Sequence, residues 1–138
     1  TLLALQETLN IYRDGKDAIK QIPTLRMICQ SYKSVCRKAR RLLDMIERGG
    51  KGTISVHLQD GFSRVGGGAM PLEEIRSRLL CISSHNIPVS KIESFFRFYN
   101  PPIIVRIEKS LVLIDLRTIQ EKELAIVAEA IRELSHIY

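Results

Sequence analysis

"IIVRIEKSLVLIDL", residues 103 to 116, carries the most regular strand signal in the chain. Two runs, 103 to 108 and 111 to 116, flank Lys109-Ser110, and together they predict a β-hairpin. Closure at 109 and 110 sets the register: Glu108 faces Leu111, Arg106 faces Leu113 and Ile104 faces Asp115. Lys-Ser is not a favoured pair for the primed turns that such a connection prefers. By the period-two rule Arg106 and Glu108 share a face, so the ribbon is polar near its middle. Together with Asp115 and Arg117 these charges read either as a weak cross-strand ion network or as a rigid arginine fork for carboxylate or phosphate.

Working outward, Ser90 with Glu93 has the form of a capping box opening a helix with Ile92, Phe95, Phe96 and Tyr99 on its packing face, closed by Asn100-Pro101-Pro102. Thr118 with Glu121 has the same form, ahead of a closing helix lined by Leu124, Val127, Ala128, Ile131 and Leu134. Upstream, "LLCIS" (79 to 83) and "TISVHLQ" (53 to 59) read as strands, with His57 on a polar face. Pro71, Glu73 and Glu74 resemble the first turn of a short helix. Before them, Tyr32, Val35, Cys36, Ala39, Leu42, Leu43 and Ile46 recur at helical spacing, and Lys33, Arg37, Lys38, Arg40 and Arg41 lie mostly on the other side. Gly49-Gly50-Lys51-Gly52 stops that helix.

Residues 1 to 30 give three short helical pieces broken at Asp14-Gly15 and Ile22-Pro23. They predict a helical arm, and residues 31 to 138 an α+β domain of order helix, strand, strand, helix, strand, strand, helix. A mostly antiparallel sheet of about four strands with helices on one face satisfies these patterns with short connections.

Composition narrows the function classes. The 138 residues are 45% hydrophobic, with no run long enough to span a membrane. Cys29, Cys36 and Cys81 with His57, His85 and His136 show no metal-ligand spacing, and the cysteines read as structural thiols of a reducing cytoplasm. From Arg13 to Lys51 there are 11 Lys or Arg against 4 Asp or Glu, while the remainder is nearly balanced. This basic third is compatible with a polyanion partner or with a solvated face. Gly66, Gly67 and Gly68 lack the Gly-Lys-Ser/Thr of a Walker loop and the spacing of a dinucleotide loop, which leaves an anion nest with Ser63 and Arg64 or a tight turn. No self-contained catalytic set accompanies them.

"TLLALQETLNIYRDG" (1 to 15), "SRVGGGAMP" (63 to 71) and "VRIEKSLVLIDLRTI" (105 to 119) resemble the C-terminal part of the bacterial selenocysteine synthase family, the L-seryl-tRNA(Sec) selenium transferases. The resemblance implies a fold-type-I pyridoxal-phosphate enzyme whose large domain holds the cofactor on a lysine. This chain would be the end of that domain followed by the small domain. It implies seryl-tRNA(Sec) and selenophosphate as substrates, a cytoplasmic homo-oligomer, no metal, and no catalytic residue or cofactor lysine in this chain. Ser63, Arg64, Val65, Gly66, Gly67 and Gly68 become candidates to border the active site, with Arg106 as a further anion-facing candidate. A related lyase for a small amino or sugar-acid substrate, or a basic RNA-binding or assembly module without chemistry, are the competing expectations.

Overall fold

A computed structural model describes residues 1–13, 15–50, 52–65 and 74–138. The glycine segment (66–73), with Gly66, Gly67 and Gly68, lies outside the described residues. The chain divides into two compact units, Thr1–Ser31 and Tyr32–Tyr138.

The first unit is three helices: α1 (Leu2–Arg13), α2 (Gly15–Gln21) and α3 (Pro23–Cys29). Pro23 stands in the first turn of α3, where an amide has no helical partner to lose. Helix α1 buries no residue, and Leu2, Leu5 and Leu9 are exposed.

In the second unit α4 (Tyr32–Arg48) leads into β1 (Ser55–Arg64) and β2 (Glu74–Ser83). Helix α5 (Val89–Arg97), β3 (Arg106–Glu108), β4 (Leu111–Asp115), a 3-10 turn (Glu121–Glu123) and α6 (Leu124–Ile137) follow. The sheet is antiparallel throughout, in the order β1-β2-β4-β3. The class is therefore α+β. Period-two parity sends Leu80 and Ile82 of β2, and Val112 and Ile114 of β4, into one core with Val35 and Leu42 of α4, Phe96 of α5 and Leu134 of α6. Helix α4 stops as expected: Gly49 and Gly50 return their amides to Ile46 and Glu47, and Gly50 takes φ +101, which favours glycine.

Several local expectations are corrected. The first two strands are longer than their apolar runs, and Glu74 opens β2 instead of belonging to a short helix, because the ladder runs on to Arg64↔Glu74. Strand β3 starts only at Arg106, and Ile104 does not pair with Asp115; the Ile103 amide instead donates to the Phe96 carbonyl at the end of α5. Neither expected capping box forms. Helix α5 is capped by Pro88, so Ser90 falls inside its first turn and Glu93 is taken by Arg97. The box after β4 is Gln120 with Glu123; Thr118 donates to the Asp115 carbonyl and Glu121 accepts from Arg41. Lys38 is 2% exposed instead of facing solvent, with its ammonium 2.5 Å from the Ile119 carbonyl. Its stem shares the apolar stripe and its charge ends on a backbone acceptor, while burial pushes its pKa down.

Candidate functional site

The sheet face away from the main core holds a smaller cluster of Leu79, Cys81 and Leu113, with Leu111 at its margin. Cys81 is fully buried there, and burial pushes its thiol up to about 11. Gly61 of β1 is needed on this face: a Cβ there would stand 2.4 Å from Leu79 Cδ1.

Toward the end of the sheet from which β1 and β2 run into segment 65–73, this face turns polar. Asp115, the last residue of β4, accepts Ser63 Oγ on Oδ2 at 2.5 Å and Ser77 Oγ on Oδ1 at 2.6 Å. The Arg117 amide donates to the same Oδ1 at 3.0 Å. Ser63, Ser77 and Arg117 are all buried. Three donors on one shielded carboxylate satisfy its need for hydrogen bonds without solvent. Nη2 of Arg117 donates to the Arg76 carbonyl at 2.6 Å, and burial pushes this guanidinium's pKa down, opposed by the Asp115 charge.

Arg106 completes the arrangement. Nη2 donates to the Phe62 carbonyl at 3.0 Å, and Nε lies 3.6 Å from Glu108 Oε1. The fold thus brings two candidates from distant parts of the sequence together, since Phe62 directly precedes Ser63. Arg64 is exposed at the end of β1, and Val65 is half-buried just beyond it. Ser77 is the member that sequence reasoning missed. Its signal was a small polar residue in phase with Ile75, Leu79 and Cys81 in the interior of the strand.

A second polar group lies at the start of α4. Asp60 accepts from the Tyr32 hydroxyl and from Arg78, which hold its pKa below the usual carboxylate range, and the Arg76 guanidinium stacks 4.3 Å from the Tyr32 ring centre. Among the described residues no group of His, Cys, Asp or Glu could hold a metal ion, and no helix is long and apolar enough to cross a membrane.

A family model described as L-seryl-tRNA selenium transferase matches residues 1–120. The chain belongs to this family. It is 38% identical over 135 residues to the L-seryl-tRNA(Sec) selenium transferase of Geotalea uraniireducens, which covers 98% of the chain and 29% of that relative. The enzyme of the same name from Clostridium perfringens is 40% identical over 134 residues, covering 97% of the chain and 29% of the relative. That from Geobacter sulfurreducens is 34% identical over 135 residues, with 98% and 29% covered. The chain therefore spans under a third of the length of these selenium transferases, and the family-model match takes in the α+β unit as far as residue 120, short of α6.

Proposed function

We propose that this chain is the C-terminal part of a pyridoxal-phosphate-dependent L-seryl-tRNA(Sec) selenium transferase, which converts seryl-tRNA(Sec) to selenocysteinyl-tRNA(Sec) with selenophosphate as selenium donor. The carrying observation is the match along nearly the whole chain to relatives named for this transfer. Residues 1 to 30 then end the large domain or link to it, and residues 31 to 138 form the small domain. In the whole enzyme, a cytoplasmic homo-oligomer, segment 63–68 borders an active site supplied by the remaining protein or by another subunit.

Pyridoxal phosphate supplies an electron sink for chemistry at the serine carbon. The lysines described here do not fit it. A lysine that binds the cofactor needs a desolvated but accessible amine, whereas Lys38 is sealed against the Ile119 carbonyl and Lys20, Lys33, Lys91, Lys109 and Lys122 are exposed. We place the cofactor on the rest of the enzyme, and the isolated chain is inert in this proposal. What its own residues contribute is placement: Ser63 is fixed by Asp115, Arg106 holds the neighbouring carbonyl, and Arg64 leaves the strand end toward solvent.

Replacing Gly67 with valine in the full-length enzyme tests this assignment. Turnover should fall about tenfold or more with little change in thermal stability, and equal loss of both would return the segment to a purely structural role. Pyridoxal phosphate added to the isolated chain should give no stoichiometric lysine-linked absorbance band; such a band would overturn the placement of the cofactor.

The relatives' names support selenium transfer over a related lyase acting on a small amino or sugar-acid substrate. A basic RNA-binding role draws on Lys33, Arg37 and Arg40, which are exposed on α4, although Lys38 is buried and Arg41 is paired with Glu121. Salt-dependent binding of tRNA by the chain alone would favour that role, and its absence at low salt would remove it.

A further inference from the structure

We propose that Asp115 is a positioning residue that fixes the paired ends of β1 and β2, at Arg64 and Glu74, relative to the reacting groups. This rests on the proposal above that the segment borders the active site. In the ladder Asp115 pairs only with Leu79 of β2, yet its carboxylate also reaches Ser63 on β1, one strand further away. The same carboxylate takes Ser77 from β2. One group therefore ties together the two strands that lead into and out of the segment, one residue from the last ladder pair, Arg64↔Glu74, on β1 and three residues from it on β2.

The backbone is held in parallel with the side chains. Phe62 and Arg76 are partners in the β1–β2 ladder, and the carbonyl of each accepts from an arginine outside that hairpin: Phe62 from Arg106, Arg76 from Arg117. Each strand is thus gripped twice near its end, all four times by residues 106 to 117. Apolar contact suffices to hold the same face at Leu79, Cys81 and Leu113. Hydrogen bonds, part-buried except that of Arg106, replace it near the strand ends, where they add direction and distance rather than area. Strand ends held in this way keep a fixed position, and small errors in the placement of groups beside reacting atoms are costly in turnover.

The test uses the full-length enzyme. Asp115→Asn keeps the shape but offers an amide hydrogen where a hydroxyl already donates, and Ser63→Ala removes the β1 grip alone. Expected for each is a kcat lowered about tenfold or more, KM for the charged tRNA changed less than about threefold, and faster deuterium exchange at residues 64–74. The double variant should be no worse than the poorer single one, and Ser63→Thr, which keeps the hydroxyl, should recover most of the kcat lost in Ser63→Ala. Wild-type kcat in Ser63→Ala, or a loss of activity that tracks thermal stability with unchanged exchange at 64–74, overturns the assignment; if Asp115→Asn does not fold, Ser63→Ala decides. Gly67→Val separates the two levels. If it impairs turnover while Ser63→Ala and Asp115→Asn do not, the positioning role fails alone; if it leaves turnover intact, the active-site proposal fails and the positioning role with it.

Discussion

The two hairpins of the sheet solve opposite problems. The β3–β4 hairpin is short and closed by two exposed residues, Lys109 at φ 48 and Ser110 at φ 62, both in the left-handed region. The twist of paired strands demands that conformation of a two-residue connection, whatever residues are available. The β1–β2 hairpin pairs ten residues on each strand, and its polar groups are buried in the stem near the departing segment. One hairpin places its cost at a solvated tip, where it affects little but stability. The other places hydrogen-bonded charge at the base of its connection, where geometry matters more than area. The contrast separates a ribbon that serves the fold from one that presents a segment.

The comparison breaks first if the hairpins do not share one core. Ile82→Ala in β2 and Ile114→Ala in β4, both fully buried, should each cost about 2–5 kcal/mol in urea unfolding. A loss well under 1 kcal/mol for one of them would show that its hairpin is only loosely attached. Gly61→Val comes next, since its first side-chain carbon meets Leu79; overpacking should cost about 1–3 kcal/mol, while the same change at Gly15, which has open space around it, should cost less.

Cys81 probes the apolar part of the face. Its folded pKa is raised to about 11 from 9.0, so the unfolded chain loses this proton first. Stability contributed at Cys81 is therefore complete below pH 9 and declines as the pH rises toward 11, by something on the order of 2 kcal/mol. Unfolding measured across that window should slope more steeply in the wild type than in Cys81→Ala. In the native chain at pH 8, iodoacetamide should label exposed Cys29 well before Cys81; equal rates would show that the face opens readily. The smallest effect is expected at the tip. Lys109→Asn with Ser110→Gly supplies residues suited to both positive φ angles and should stabilise by about 1 kcal/mol or less, with no effect on turnover of the full-length enzyme.

Element order and the register of the short hairpin were legible because two apolar-rich runs flank a two-residue connection that sets the pairing: Arg106↔Leu113 and Glu108↔Leu111 are the predicted pairs. The far ends of β1 and β2, "DGFSR" and "EIRSR", lack such runs, since their partners are the Asp115 carboxylate and the Arg106 and Arg117 guanidiniums from across the sheet and not an apolar layer. The capping motifs failed for a related reason: Glu93 and Glu121 have competing arginine partners, Arg97 on the same helix and Arg41, 80 residues away. Lys38 stands with Val35, Ala39 and Leu42 at helical spacing, but its acceptor on Ile119 is invisible locally. Of the candidate site, Ser63 and Arg106 were visible as residue types. Their convergence and the part played by Ser77 required the register of a hairpin whose outer half carries no hydropathy pattern.

Arg106 also fixes the curvature of the sheet. It sits on β3 and grips Phe62 on β1, the strands at the two opposite rims. Three strand intervals in a flat sheet amount to about 14 Å, farther than an arginine side chain extends. The sheet must therefore curl toward this face, bringing its rims within reach of a single guanidinium. Bending either rim therefore strains the other through that grip, along a route that does not pass through the main core.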